Sequence, residues 1–104
     1  MNTLAIEIEI PLAVSVQVTD DAVSVDLSDG RTMFVPIGWY PRLEFATLEE
    51  RERWRLIGNG HGIHWEDIDE DISVEGLIFG KPSGENQISL KKWLQGRKIS
   101  PTKI

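Results

Sequence analysis

The stretch AVSVDLSDGRTMFVPI (residues 22–37) sets the architecture of this chain, because it contains two strands and the turn that joins them. Three apolar residues, each separated by one polar residue, precede Asp29-Gly30, and two more follow it with the same period. A period of two places such residues on one face of a strand. Aspartate and glycine tolerate the positive φ angles that a tight turn requires. The stretch therefore predicts an antiparallel hairpin.

Two more alternating segments precede this hairpin. In residues 4–10, LAIEIEI, Leu4 and three isoleucines share one face, and Pro11 ends the run because it cannot donate to a strand ladder. In residues 13–18, AVSVQV, three valines share a face. We therefore expect strands on the N-terminal side of the hairpin, in the same sheet.

The middle of the chain predicts one main helix. Thr47 and Glu50 have the spacing of a capping box, in which each side chain binds the other residue's backbone N–H. The segment LEERERWRLI, residues 48–57, would form the helix, and Gly58 can take the left-handed conformation of a helix end. Four residues are expected on its buried face: Leu48, Trp54, Leu56 and Ile57.

Three shorter elements follow the main helix. Residues 63–68, IHWEDI, predict a strand with Trp65 in the core. Residues 71–80 predict a short helix capped by Ser73, and residues 89–96 predict a second one capped by Ser89.

The order of these elements predicts the α+β class. We expect a small antiparallel sheet, made of the N-terminal strand, the hairpin and the later strand, packed on one main helix, with short C-terminal helices. Residues 1–80 are assigned to a single α+β domain, of which 1–12 form an added N-terminal strand. Residues 81–104 are assigned to a basic C-terminal extension with a short helix.

Charge is distributed unevenly along the 104 residues. Residues 1–80 carry 16 acids and 5 bases, whereas residues 81–104 carry 1 acid and 6 bases. An acidic body repels phosphates, so nucleic acid is expected to bind only through the basic extension. The chain has no cysteine and no apolar run of the ~20 residues that span a bilayer, which indicates a cytoplasmic protein away from membranes.

The stretch GNGHGIHWEDIDEDISVEG (residues 58–76) holds both histidines and several acids, and it raises the question of a metal. His61 and His64, with the acids that follow, offer nitrogen and oxygen ligands. The spacing matches no metal motif with a mechanism, and a calcium loop would need glycine and glutamate where Ile72 and Ile78 stand. We therefore assign no metal and no cofactor, and keep His61 and His64 as the alternative metal ligands.

A structural interpretation of this stretch is favoured. Its glycines allow a sharp turn, and its acids suit a helix cap and a charged rim. If the stretch binds anything, the candidate residues are His64, Asp69, Glu70 and Asp71. Trp39 and Tyr40 are expected to pack in a connector, and an exposed aromatic pair that binds a partner is the alternative. In the basic extension, the candidate contacts are Lys91, Lys92, Trp93, Arg97 and Lys98.

The blocks DGRTMFVPIGWYPRL, AT-EER--W and GIHWEDIDEDISVEGLIFG resemble the domain of unknown function family 2442, which comprises small bacterial proteins. The resemblance covers about residues 14–80, and Glu66 departs from it because a proline is expected after the tryptophan. It implies an α+β fold and no catalytic residues. Family members resemble accessory proteins, some of them partners in two-gene, toxin–antitoxin-like pairs.

The sequence thus favours a non-enzymatic protein-binding or regulatory module, an antitoxin-like member of a two-gene pair with a basic protein partner. Self-association is expected through strand 4–10, whose edge is unpaired. Two alternatives stay open. One is a metal-dependent or carboxylate enzyme centred on His61 to Asp71, and the other is nucleic-acid contact through the basic extension.

Overall fold

The computed structural model describes residues 9–97 and has the α+β fold that the sequence predicts. Within this range six strands form two three-stranded antiparallel sheets rather than one sheet packed on a main helix. The first sheet contains β1 (Ala13–Val18), β2 (Ala22–Leu27) and β3 (Thr32–Pro36), in that order. The second contains β4 (Trp54–Ile57), β5 (Gly62–Trp65) and β6 (Glu70–Ser73), in that order.

The predicted hairpin is confirmed as β2–β3. Val25 pairs with Met33 and Val23 with Val35, so the apolar residues of the two strands face each other across the ladder. Gly30 has a φ of 95°, the left-handed conformation that the turn requires.

The prediction for the N-terminal segments is confirmed only for residues 13–18. A bulge between Ala13 and Ser15 turns Val14 outward, so the three valines do not share a face. Most of the predicted strand 4–10, and with it the self-association edge, lies outside the described residues. Glu9 and Ile10, which are described, are not in a strand.

The predicted main helix is wrong beyond Glu52. Helix α2 spans only Leu48–Glu52, although its capping box is confirmed: the Glu50 N–H donates to Thr47 Oγ1 at 3.0 Å and the Thr47 N–H donates to Glu50 Oε1 at 2.9 Å. Residues 54–57 form β4 and pair with β5. Leu48 and Leu56, expected on a buried helix face, are exposed.

A left-handed turn explains this correction. Gly58, Asn59 and Gly60 have φ angles of 59°, 57° and 99°, so the chain reverses at once and β4 folds back on β5. Gly60 also packs against the first sheet, since a Cβ there would lie 3.0 Å from Leu12 Cβ and 3.1 Å from the Ala13 carbonyl oxygen. The glycines that suggested a helix end instead close a hairpin.

The remaining helices are short. The chain passes from β3 through a 3₁₀ turn (Ile37–Trp39) into α1 (Pro41–Glu44), and β6 runs into α3 (Val74–Ile78). Ser73 caps α3 as predicted, accepting a hydrogen bond from the Gly76 N–H at 2.8 Å. The strand predicted over residues 63–68 ends earlier, at Trp65. The last helix, α4 (Gln87–Gly96), is capped by Asn86 and not by Ser89.

Both sheets contribute to one hydrophobic core. The buried apolar side chains are Ala13, Val23, Val25, Leu27, Val35, Ile37, Tyr40, Leu43, Ile63, Trp65, Ile68, Ile72, Val74 and Leu77. Trp65 is fully buried, which confirms its predicted place, and its indole N–H donates to the Arg51 carbonyl at 3.0 Å.

The Arg51 side chain joins elements that are distant in sequence. Its guanidinium donates from Nε to the Leu43 carbonyl and from Nη2 to the Glu44 carbonyl, both at 3.0 Å. Nη1 contacts the Asp20 carboxylate, in the β1–β2 turn, at 2.7 Å. Only 6% of the residue is exposed. Arg51 therefore satisfies the last carbonyls of α1 and ties that helix to α2 and to the first sheet.

Replacing Arg51 should destabilise the fold more than replacing a neighbouring arginine. We expect Arg51→Met to lose about 2–4 kcal/mol of unfolding free energy, because the Glu44 carbonyl loses its donor, the Leu43 carbonyl loses one of its donors and the contact with Asp20 is lost. Arg53→Met should lose less than about 0.5 kcal/mol, since Arg53 is exposed and contacts Asp67 at 3.4 Å. Urea denaturation measures both, and equal losses would contradict the role given to Arg51.

The packing of Gly60 can be separated from its backbone conformation. Gly30 has a similar φ and no atom within 4 Å of its Cβ position, so Gly30→Ala reports the conformational strain alone, about 1–2 kcal/mol. Gly60→Ala adds a steric contact with β1 and should cost at least about 1 kcal/mol more. Thermal and urea unfolding of both variants test this, and equal destabilisation would show that Gly60 does not hold the two sheets together.

Candidate functional site

An open cleft of about 290 Å³ lies beside strand β6. Its floor and one wall come from β6 and the start of α3, and the opposite wall comes from the segment after α3. The lining residues are Tyr40, Glu70, Asp71, Ile72, Ser73, Gly76, Lys81, Pro82, Ser83 and Gly84.

Backbone hydrogen bonds hold the wall of residues 81–84 in place. The Lys81 N–H donates to the Gly76 carbonyl at 2.8 Å, and the Ser83 N–H donates to the Trp39 carbonyl at 3.0 Å. Both serine hydroxyls of the cleft accept backbone hydrogen bonds, Ser73 from Gly76 and Ser83 from the Glu85 N–H at 3.0 Å. Hydrogen bonds within the chain thus hold the walls of the cleft.

Glu70 is the buried acid of this cleft. It begins β6 opposite Trp65, and only 8% of it is exposed. No group among residues 9–97 donates a hydrogen bond to the Glu70 carboxylate. Burial raises the pKa of Glu70 to about 7, and the negative charges of Glu85, Asp71 and Asp69 add to this against the opposing charge of Arg42.

Tyr40 forms the wall next to Glu70. Burial, and then the charge of Glu70, raise the pKa of Tyr40 to about 12, so its phenol stays neutral at any physiological pH. The sequence favoured a packed connector for Trp39 and Tyr40 over an exposed aromatic anchor. The structure buries Tyr40 and half-buries Trp39, and it places Tyr40 at the cleft.

Arg42 lies near Glu70 but is engaged elsewhere. Its guanidinium donates from Nε to Glu85 at 2.7 Å and from Nη1 to the Ile68 carbonyl at 3.0 Å. Burial alone would raise the pKa of Glu85, but the hydrogen bonds from Arg42 and Ser89 outweigh burial and hold that pKa below its usual range. Arg42 therefore neutralises Glu85 rather than Glu70.

The basic extension docks on the body through α4. Two guanidinium groups lie over the Trp93 ring, with Arg97 at 4.5 Å and Arg42 at 5.2 Å from its centroid. Arg97 also contacts the Glu50 carboxylate at 2.7 Å. Among the residues suggested for tail contact, Lys91 and Lys92 are exposed, whereas Lys98 lies outside the described residues.

The two histidines do not share a site. His64, on β5, contacts Asp71 across the ladder to β6 and lies 3.9 Å from Glu66. His61 is exposed at the end of the preceding turn and takes no part in that contact. In the range 9–97, no three histidine or carboxylate side chains converge as metal ligands would. The structure thus brings together His64 and Asp71, and Glu70 with Tyr40.

Sequence reasoning grouped Asp69, Glu70 and Asp71 as a rim and missed that Glu70 points inward. The signal was available, because Glu70 and Ile72 are two residues apart on a strand and therefore share the buried face. Asp71 and Ser73 take the exposed face. The sequence did not indicate that residues 81–84 lie beside β6 and leave a cleft between them.

Comparison with known proteins places the chain in a family. A model for a protein of unknown function, DUF2442, matches residues 13–83. The chain belongs to the DUF2442 family. This confirms the resemblance drawn from the sequence. The DUF2442 match spans both sheets, α3 and most of the wall of the cleft, and α4 lies beyond it.

Two solved structures are similar to this chain. A crystal structure of a protein of unknown function from Rhodospirillum rubrum shares 31% identity with a TM-score of 0.63, over 72% of this chain and 93% of that one. A solution NMR structure of an uncharacterized protein from Chromobacterium violaceum shares 21% identity with a TM-score of 0.61, over 86% of this chain and 78% of that one. The second likeness shows the fold alone.

No curated protein matches this chain. Across the described residues, no helix has the length and apolar character needed to cross a membrane.

The ionisation of Glu70 should make stability depend on pH. Its pKa rises from 4.5 to about 7 on folding, so the stability that neutral Glu70 contributes is fully present below about pH 4.5 and is lost as pH rises through 7. Glu70→Gln removes the buried charge and should gain about 1–2 kcal/mol over wild type at pH 8, a value reduced for residual solvent screening, and much less at pH 5.

Urea denaturation at several pH values between 5 and 8 measures this difference. Glu75→Gln, at an exposed acid on α3, is the control and should show no trend with pH. A Glu70→Gln effect that is the same at pH 5 and pH 8 would mean that Glu70 is not held in an unfavourable environment.

Proposed function

We propose that this chain is a non-enzymatic, regulatory protein-binding module that binds a basic protein through its acidic rim, defined here as Asp69 and Asp71. These residues flank Glu70, and both are exposed. Asp71 lines the cleft, and the negative charges of both residues act on Glu70.

The observation that carries this proposal is how the chain uses its positive charge. Each of its six arginines forms an ion pair within the chain. The carboxylate partners are Asp29, Glu85, Asp20, Asp67, Glu66 and Glu50. Within residues 9–97, no arginine or lysine lies at ion-pair distance from Asp69 or Asp71. Asp69 is therefore left with uncompensated charge, and the partner of Asp71 is the imidazole of His64, so the acidic rim favours a basic partner.

The acidic rim is also held in a fixed geometry. Asp69 has a φ of 53°, and its carbonyl and that of Ile68 face the Arg42 guanidinium at 3.5 Å and 3.0 Å. Asp71 is held on β6 by its contact with His64. A charged surface whose backbone is already ordered loses little conformational entropy on binding, which favours recognition.

The cleft supports binding more than catalysis. A buried acid with a near-neutral pKa is the kind of group that enzymes use as an acid or base, and this keeps a carboxylate enzyme as the second candidate. However, Tyr40 beside Glu70 stays neutral, and both serines of the cleft are engaged in local turns. The described cleft supplies an electrostatic partner for a ligand but no activated nucleophile.

An antitoxin-like member of a two-gene pair is the setting we propose for this module. The basic partner would then be the product of the neighbouring gene. Self-association through residues 4–10 stays a prediction, since that segment lies outside the described residues.

Loss of the acidic rim should weaken the complex with that partner. After co-expression and copurification, the double variant Asp69→Asn/Asp71→Asn should bind about tenfold more weakly or worse, mainly through a slower association rate at low salt. Asparagine tolerates the left-handed backbone at residue 69, so the fold should be kept.

The double variant Glu49→Gln/Glu52→Gln is the matched control, because it removes two exposed charges from α2. It should change affinity less than threefold. Equal weakening by the two double variants, or a neighbouring gene product that does not bind, would contradict the proposal. Association rates from biolayer interferometry at low and high salt give the readout.

A further inference from the structure

The cleft contains a buried carboxylate that the described chain leaves without a counter-ion. Glu70 is more than nine-tenths buried, it lines the cleft, and no side chain or backbone group of residues 9–97 hydrogen-bonds to its carboxylate. Its carboxylate oxygens keep contact with solvent through the cleft, since the buried side-chain atom without a hydrogen-bond partner in this range is Arg97 Nε. A largely buried carboxylate is normally paired, because burial removes most of its hydration. Such a group facing an open cleft indicates that the missing partner comes from a ligand.

The cations nearby do not fill this role. Arg42 gives its guanidinium to Glu85 and to the Ile68 carbonyl. Lys81 lines the cleft and is exposed, but its ammonium is not within ion-pair distance of Glu70. The chain thus provides a hydrogen-bond acceptor, the Glu70 carboxylate, and an open cleft next to it.

We propose that the cleft binds the primary ammonium group of one lysine side chain of the basic partner, with the Glu70 carboxylate as its counter-ion and Tyr40 as the adjoining wall. This assignment rests on the proposed function and names the contact at the centre of the acidic rim. Asp69 and Asp71 attract the basic segment, and Glu70 receives one side chain from it.

The size and shape of the site favour an ammonium over larger cations. At about 290 Å³ the cleft is at the lower end of ligand pockets, which span roughly 300–1,000 Å³, so it accommodates one side chain rather than a cofactor. An ammonium is a compact point charge that a single carboxylate can hold.

Binding should tighten as pH rises, because only ionised Glu70 attracts the ammonium. The groups facing Glu70 are Arg42 on α1, Glu85 before α4, Tyr40, and Asp69 and Asp71 on its own segment. Lys81 lines the same cleft. The Tyr40 phenol stays neutral between pH 6 and pH 8, and Glu85, whose pKa lies below its usual range, stays ionised. His64 contacts Asp71, so a His64→Gln variant is measured in parallel to exclude its contribution.

The test uses the full chain and two probes, acetyl-Gly-Lys-Gly-amide and the same peptide with norleucine in place of lysine. Titration followed by ¹H–¹⁵N NMR should show shifts at Glu70, Ile72 and Gly76 with the lysine peptide only. Affinity should be about tenfold higher at pH 8 than at pH 6, as ionisation of one group with the pKa of Glu70 requires. Glu70→Gln should reduce affinity at least about tenfold.

Controls separate a specific site from general attraction. Glu75→Gln removes one exposed acid by the same chemical change and should alter affinity less than twofold. n-Butylamine tests whether a free amine suffices: binding weaker than that of the lysine peptide supports a peptide side chain, and equal binding would overturn the lysine assignment. Binding of the norleucine peptide, or equal losses in Glu70→Gln and Glu75→Gln, would overturn the site itself.

The two proposals can fail separately. If the acidic-rim variant loses the partner but the lysine peptide does not bind, the partner surface stands and the ammonium site is wrong. If the peptide binds at Glu70 but the neighbouring gene product does not bind, the site stands and the identity proposed for the partner is wrong.

Discussion

The buried guanidinium of Arg51 is the interaction on which the arrangement of the chain depends. It donates to the carbonyls that end α1, pairs with Asp20 beside β1, and its own carbonyl accepts the indole N–H of Trp65. A short helix such as α1, four residues long, has no stability of its own, because nucleation costs more than so few hydrogen bonds return. Arg51 fixes α1 against both sheets, and α1 in turn carries Arg42 toward β6 and the cleft.

The position of Glu70 follows from that framework and from strand geometry. Trp65 is held in the core, so β5 has a fixed face, and the register of β6 on β5 pairs Glu70 with Trp65. The alternation of β6 then directs Glu70 and Ile72 to one side and Asp71 and Ser73 to the other. A one-residue shift in register would expose Glu70 and bury Asp71, so the cleft depends on the same ladder that buries Trp65. An unpaired buried acid reduces stability, and chains keep such groups mainly where they serve a site.

Local chemistry was the part of this fold that could be predicted from the sequence. The Asp29-Gly30 turn, the Thr47–Glu50 capping box and the Ser73 cap each involve residues within four positions of one another, and all three are confirmed. The predicted main helix was wrong because residues 54–57 hold an apolar pattern too short to separate a helix from a strand. Residues 54–57 form a strand because the left-handed turn at Gly58 to Gly60 folds them back onto pairing partners in β5. The cleft depends on residues 81–84 folding back over β6, a tertiary contact that leaves no periodic signal.

The uneven charge of the sequence also has a structural explanation. Arg97 of the basic extension compensates Glu50, and burial, which alone would raise the pKa of Glu50, is outweighed by the hydrogen bonds from Arg97 and Thr47, so that pKa lies below its usual range. Glu85, the single acid of that extension, forms an ion pair with Arg42, so Arg42 does not pair with Glu70. The docked α4 therefore compensates Glu50 on α2, and Glu85, just before α4, holds the guanidinium of Arg42. Glu70 is therefore left without an arginine or lysine at ion-pair distance among residues 9–97, because the guanidinium whose charge acts on it, that of Arg42, is paired with Glu85.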